Sequence, residues 1–318
     1  MAMTTQTIML WVLAALFPGF VALSFMWGFG IAWNVIWLCI LCAGCELGAT
    51  YLRRLPKAQT PWSTLTDGAT LVTAVLIALC LPPFMHPGIL AVAAIASIGL
   101  AKHVYGGLGR NVFNPAMVGY AVILVSFPQS LAHWPDALAN DLDGFSGATT
   151  LTHFRYRAGT TTLEFEALHG ASMAQDRLVA CCFLVGGVVL LYKRLLAWRT
   201  TAGMLAGLAL GTLFGYDQGS SQSLGGAWFH ATTGGFMLAA FFVVTDPVTH
   251  PRGPRHQLIF GLIIGLLVYL IRAYGSFPDG IAFAVLFANC LTPFMNRLPP
   301  RHRQPLRPET EQENAANG

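Results

Sequence analysis

The sequence predicts an all-α integral membrane protein of about ten transmembrane helices, with an internal parallel repeat and short broken helices. Three observations carry that expectation. Only 10% of the 318 residues are charged and 55% are hydrophobic, whereas an ordinary soluble domain carries about 25% charged residues. The mean hydropathy is +0.58. Finally, apolar windows recur along the chain, and Gly and Pro interrupt them at matching places in its two halves.

Taken in order, the first element is a run without charge from Met1 to Cys45. It far exceeds the roughly 20 residues that one helix needs to cross the hydrocarbon core, so it folds back once. The two spans are 8–28 and 31–51, with Gly28, Gly30 and Asn34 marking the turn. The start lacks a Lys or Arg n-region and a clear small-residue cleavage site, so it reads as a first span rather than a signal peptide. Further windows lie at 68–85, 88–104, 112–128, 177–195, 201–216, 229–245, 257–274 and 277–295. The chain therefore divides into an N-terminal hairpin with its loop (1–60), a first membrane repeat (61–128), a polar loop (129–176), a second repeat region (177–298) and a tail (299–318). The tail is rich in Pro, Arg, Glu and Asn and reads as disordered.

Ten spans place both termini on one side, and the basic residues say which. Arg53, Arg54, Lys57, Lys102, Arg110, Lys193, Arg194, Arg199, Arg252 and Arg255 fall at junctions on that side, and the tail adds Arg297, Arg301, Arg303 and Arg307. Only Arg155, Arg157, Arg177 and Arg272 fall on the other. Cytoplasmic loops carry the excess of Lys and Arg, so both termini are expected in the cytoplasm and the loop 129–176 outside. The same bias explains a pI near 8.7. No basic patch carries interleaved aromatics, so a nucleic-acid partner is not expected.

The repeat is legible in two segments, "LTDGATLVTAVLIALCLPP" ending at Pro83 and "TTGGFMLAAFFVVTDPVTHP" ending at Pro251. Each is followed by one span, then Tyr-Gly (Tyr105-Gly106 and Tyr274-Gly275), then a short span opened by "GRNVFNPAMVGY" or "PDGIAFAVLFAN". Order is kept, and each copy is expected to start on the same face. Pro82, Pro83 and Pro115 break the first copy, and Pro247 and Pro293 the second. Taken singly these prolines are packing kinks; taken as matched pairs they point to a shared pocket lined by broken helices.

Several residues stand out chemically. In the loop, Ser146, Gly147 and Ala148 are small enough for another molecule to approach the backbone, and the Thr149 hydroxyl can accept a covalent modification. By composition alone the run is an ordinary flexible loop. Glu46 falls inside the second span, where an ionisable group points to function, here an ion path. Asp67, Asp246 and Asp279 lie near ends or breaks of spans, with Lys102 and His103 at a cytoplasmic junction. Cys39, Cys42 and Cys45 have an iron–sulfur-like spacing, but they lie on an apolar span without a nearby fourth Cys, so no metal is expected.

Asp143, Gly144, Phe145, Ser146, Gly147, Ala148, Thr149, Thr150 and Leu151 resemble the motif modified by a periplasmic flavin transferase. With "LTDGATLVTAVLIALCLPP", "GRNVFNPAMVGYA" (109–121) and "VVTDPVTHPRGP" (243–254), they make the chain similar to the family of the D subunit of the Rnf electron transport complex. The B subunit of the sodium-translocating NADH:quinone reductase is homologous to it. The resemblance covers about residues 60–296. It implies FMN joined by a phosphoester to Thr149, with Asp143, Ser146, Gly147 and Ala148 completing the motif, and suggests a noncovalent riboflavin. Arg155, Arg157 or His153 would balance the phosphodiester charge.

The resemblance further implies a redox subunit in the bacterial cell inner membrane, with no complete active site of its own. Its partners would be the Rnf A, B, C, E and G subunits, above all the FMN-bearing G subunit, together with the transferase. The complex links ferredoxin and NAD and moves Na⁺ or H⁺. No G-x-G-x-x-G follows a strand, so nicotinamide chemistry would belong to a partner. Alternatives are the reductase B subunit, a flavin-free channel or secondary transporter, and a purely structural assembly subunit.

Overall fold

The computed structural model describes residues 3–53, 64–132, 134–135, 146–147, 149–157, 159–277 and 279–297. The tail 299–318 lies outside the described residues, as do Arg54 and Lys57. Apart from one two-residue strand pair, the regular structure described is helical, and α1 (Thr5–Trp27) and α2 (Phe29–Leu52) form the expected N-terminal hairpin. Its turn is Gly28 alone, at φ +66°, a conformation that costs a glycine little. Gly30 and Asn34, expected in that turn, are instead buried within α2.

Their placement has a physical reason. Helix α3 (Ala69–Ala78) ends abruptly, and the chain runs through Pro82 and Pro83 to α4 (Pro87–Ala94), which continues as a π-helix over Ile95–His103. That break leaves backbone groups without helical partners. Asn34 answers two of them, donating Nδ2 to the Pro82 carbonyl at 2.7 Å and accepting from Met85 N–H at 3.0 Å. Gly30 lets α2 approach so closely that a Cβ there would collide with Pro83 and Phe84.

After α5 (Pro115–Ser126) and α6 (Pro128–Ala132), Trp134-Pro135 (β1) pairs antiparallel with Ser146-Gly147 (β2). A short α7 (Thr150–Arg155) follows, and then α8 (Thr162–Tyr192). The sequence read 129–176 as loop, yet its last part is helix. A capping box between Thr161 and Glu164 starts α8, which bends at His169 (φ −114°) before becoming apolar. Helix α9 (Trp198–Gly215) precedes α10 (Ala227–Thr232) and α11 (Phe236–Leu238), the last running on as a π-helix over Ala239–Val243. Helices α12 (Pro254–Tyr274) and α13 (Ile281–Arg297) complete the fold. Among the described residues, α1, α2, α8 and α12 are each long and apolar enough to cross a membrane; the other apolar segments are shorter or broken.

The two copies run in opposite senses, which corrects the parallel arrangement read from the sequence. Ala69 at the start of α3 lies at one face with Lys102, Asn114 and Asp246, where they line a cavity of about 110 Å³. Cys80 beyond the end of α3 lies at the opposite face with Gly234, just before α11, and Ile281, at the start of α13; these line a second cavity of about 520 Å³. The first copy therefore begins where the second ends. Order of segments is visible in a sequence, but direction depends on how many crossings intervene.

Helices α9 and α12 touch backbone to backbone. A Cβ on Gly203 or Gly207 would strike the Leu258 or Leu262 carbonyl, and one on Gly261 or Gly265 would strike those of Thr200 or Met204. Small residues four apart on both helices allow this approach in an apolar solvent, where dispersion replaces the hydrophobic effect. Gly207→Leu is expected to lower stability by about 1–3 kcal/mol or more through overpacking. Gly44→Leu, with nothing within 4 Å of its Cβ position, should be nearly neutral. Thermal unfolding of the two variants in detergent checks the contrast.

Candidate functional site

The strand pair brings Ser146 and Gly147 beside Trp134 and Pro135. Asp143 and Ala148 lie outside the described residues. Thr149 is the N-cap of α7, with extended backbone (φ −63°, ψ 156°). Its Oγ1 accepts from Thr152 N–H at 3.4 Å and lies 3.0 Å from the Thr152 hydroxyl. Thr150 beside it is buried, at 8% exposure, whereas Thr149 is half-buried and lines the larger cavity.

That cavity, about 520 Å³, is within the roughly 300–1,000 Å³ usual for small-molecule sites. Met117 and Tyr120 of α5, Phe183 of α8 and Leu238 of α11 give it apolar walls. Trp27 and Trp134 also line it, edge to face with centroids 5.3 Å apart. Thr149 thus offers a hydroxyl to a space suited to a planar aromatic group. A phosphoester at that oxygen and a ring system among those walls fit the residues present.

The break between α10 and α11 borders the same cavity. Arg272, at 5% exposure, donates Nη1 to the His230 carbonyl at 2.6 Å and Nη2 to the Thr233 carbonyl at 3.2 Å. Nη2 also lies 3.2 Å from Asp279 Oδ1, while Asp279 Oδ2 accepts from Gly235 N–H at 3.1 Å. A cation thus meets the carbonyl end of one helix and an anion the N–H end of the next, each suited to the local dipole. Gly234, at φ +67°, makes the turn between them.

The basic residues near Thr149 are largely committed elsewhere. Arg155 Nη1 donates to the Arg272 carbonyl at 2.9 Å. Arg157 donates to the carbonyls of Phe154 at 2.8 Å, Thr160 at 3.3 Å and Ser223, and lies 3.7 Å from the Phe154 ring centroid. Burial lowers its guanidinium below the usual value. His153 sits against the His169 ring, centroids 5.1 Å apart. Of the three expected counter-charges, Arg157 is the one most fully used in joining loops.

Glu46 lies away from this cavity, at the face that Lys102 and Asn114 share. It is 1% exposed and accepts at Oε2 from Lys102 Nζ at 2.8 Å and from Thr70 Oγ1 at 2.9 Å. Lys102 Nζ also donates to Thr70 Oγ1 at 3.0 Å. His103 Nε2 is 3.1 Å from Glu46 Oε1, and His103 Nδ1 is 3.3 Å from Arg53 Nη1. Arginine can only donate, so Nδ1 accepts there, while Nε2 lies beside Glu46 without a hydrogen-bond partner among the described residues. The network ties α2 to the start of α3 and to the π-helical end of α4. In this arrangement the carboxylate is matched by a lysine, so a passing cation would first have to displace Lys102.

Three groups escaped the sequence reading. Arg272 was counted only as an external charge; its distance of seven residues from Asp279, across a Tyr-Gly-Ser turn, was the available signal. Asn34, read as a turn residue, has burial in an apolar helix as its signal. Asp176, at the edge of the 177–195 window, lines the Thr149 cavity; nothing local marks it.

Comparison with known proteins adds independent findings. The family model described as "NQR2, RnfD, RnfE family" matches residues 1–303. The chain is 40% identical over 308 residues, 91% of this chain and 88% of the relative, to a protein of Pseudomonas aeruginosa (strain UCBPP-PA14) named as the D subunit of an ion-translocating oxidoreductase complex. A relative of the same name from Pseudomonas paraeruginosa (strain DSM 24068 / PA7) is 41% identical over 308 residues, with 91% and 88% covered. Another, from Shewanella denitrificans, is 36% identical over 349 residues, with 98% and 95% covered.

The Glu46 network makes a stability prediction. Lys102→Met leaves a buried carboxylate without its cation and should cost about 3–5 kcal/mol, whereas Lys102→Met with Glu46→Gln should recover most of that loss. A double-mutant cycle of thermal unfolding in detergent measures the coupling, and additive losses would contradict it.

Proposed function

Because the chain belongs to the NQR2, RnfD, RnfE family, we propose that it serves as the membrane D subunit of an ion-translocating oxidoreductase complex and carries electrons through FMN bound covalently at Thr149. The observation that carries the reading is the placement of the Thr149 hydroxyl on the cavity of about 520 Å³ at the junction of the two copies. Bound FMN supplies electron exchange singly or in pairs. The chain's own part is to anchor it at Thr149 Oγ1, to keep water away with the walls that Met117, Phe183 and Leu238 provide, and to hold those walls in place through Arg272 and Asp279.

The same reading includes the flavin transferase as maturation partner, the other complex subunits, above all the FMN-bearing G subunit, as electron partners, and Na⁺ or H⁺ as the coupled ion. It places the chain in the cell inner membrane with both ends cytoplasmic and Thr149 periplasmic. The distribution of charge supports that orientation. Lys102 shares a face with the beginnings of α1 and α3, and Thr149 lies with Asp279 and the end of α12 at the other. A noncovalent riboflavin also belongs to the reading, but the cavity of about 110 Å³ beside Lys102 is smaller than such a ligand ordinarily needs, so it is not assigned there. Glu46 enters an ion path only in a state where Lys102 has moved off it.

Inverted copies with broken helices also favour a second reading, a flavin-free channel or secondary transporter. The two separate on one gel. Wild type and Thr149→Val, each coexpressed with the transferase, are denatured and viewed under ultraviolet light. Fluorescence is expected from the wild type and none from the variant. A dark wild type in cells that flavinylate another substrate would overturn the electron-carrier reading, and a fluorescent variant would overturn the assignment to Thr149.

A further inference from the structure

A carboxyl oxygen without a partner lies against the cavity that Thr149 shares. Asp176 projects from α8, about two turns beyond the bend at His169, and lines that cavity with Thr149 and Thr150. The Thr150 side chain hydrogen-bonds the carboxyl, but Asp176 Oδ2 is buried with no hydrogen-bond partner among the described residues. A buried carboxylate oxygen left so is unfavourable, and in native proteins such an atom marks a group that changes state or meets a partner from outside the chain.

The surroundings do not neutralise it. Arg272 on α12 is the cation whose charge acts on Asp176, but its donors already serve Asp279, His230 and Thr233. Arg155 is held at the Arg272 carbonyl. Asp279 lines the same cavity but is paired with Arg272, and Cys80, Tyr120 and Tyr156 add titratable groups that are ordinarily neutral near pH 7. From α1 the cavity receives only Leu23 and Trp27. Along α8, Arg177 is paired with Glu166 at 3.2 Å. A negative charge arriving in this space therefore meets one carboxyl that has room to change its own charge.

We propose that Asp176 is a proton-exchanging positioning residue for the cofactor at Thr149, binding a proton as negative charge arrives on the cofactor and releasing it as that charge leaves. The inference rests on the reading of Thr149 given above. One electron comes from a one-electron-donating partner subunit, and one proton comes from water to Asp176 Oδ2. No bond to the cofactor forms or breaks, and oxidation returns both. The reason is Coulombic: two like charges in one low-dielectric cavity raise the proton affinity of the one that can titrate.

The test is a redox titration of the Thr149-bound flavin in the purified complex across pH, for wild type, Asp176→Asn and Asp176→Glu. Within the window where Asp176 titrates, the wild-type midpoint potential should fall by a tenfold equilibrium change per pH unit, ~59 mV for one electron. Asp176→Asn should lose that dependence and Asp176→Glu should retain it. A reduced-minus-oxidised infrared spectrum of the wild type should gain a protonated-carboxyl band that Asp176→Asn lacks. Equal slopes in wild type and Asp176→Asn overturn the proposal, and should the asparagine variant fail to assemble, a wild-type spectrum without the band overturns it alone. A complex without covalent flavin overturns the Thr149 reading and takes this inference with it, whereas covalent flavin with an unchanged slope removes this inference alone.

Discussion

The larger cavity depends on Arg272 and Asp279. An apolar chain has no water to satisfy the carbonyls and N–H groups that a broken helix exposes, so a break persists only where side chains supply the missing partners. Arg272 meets the carbonyls of His230 and Thr233, and Asp279 meets Gly235 N–H. Each residue also neutralises the other, at 3.2 Å. Without that pair the chain between α10 and α11 would have reason to close into continuous helix, and the wall opposite Thr149 would close with it.

The breaks at Pro82 and Val243 obey the same rule, with amides prominent among the partners. Asn34 bridges the turn after α3. Asn114, which caps α5, donates to the Val243 carbonyl at 3.4 Å, and its own N–H meets Asn289 Oδ1 at 3.0 Å. Asn289 in turn donates to the Thr249 carbonyl at 3.4 Å. These contacts join the first copy to the end of the second. An ion pair is thus used beside the larger cavity, an amide at the break at Pro82, and amides together with the Asp246 carboxylate after Val243, while the buried ion pair of Glu46 and Lys102 fastens α2 to α4.

Much of this was legible in the sequence, for reasons that can be named. Hydropathy finds helices whose whole circumference is apolar, so α1, α2 and α12 were found nearly to their ends. It fails on α8, where Thr162 to Asp176 mixes charged and apolar residues and only the Thr161–Glu164 box marks the start. Proline located the break at Pro83 but could not say what fills it, and the window 229–245 ran straight through the break at Gly234; Asn34 and Arg272 lie 48 and 42 residues from carbonyls they satisfy. Thr149 stood out in the sequence because its neighbours in the chain form a pattern, and the fold sets it on the larger cavity. Asp176 was not, because its meaning depends wholly on what faces it across the fold.

The opposed sense of the two copies has a counting consequence. The path crosses the bundle once along α3 and then along α4, α5, α8 and α9 before the matching segment at α11, an odd offset of five passages. Parity alone then turns the second copy upside down, without any change in its internal order. Side chains at equivalent places must therefore differ in kind, since what faces the basic side in one copy faces the other side in its twin. Hence Asp67 opens its segment and Asp246 closes its own, yet they come to the same face by opposite routes. Inversion sets each copy's opening segment at the face where the other copy closes, so each face joins the start of one copy to the end of its twin: a narrow cavity beside Lys102 and a wide one beside Thr149.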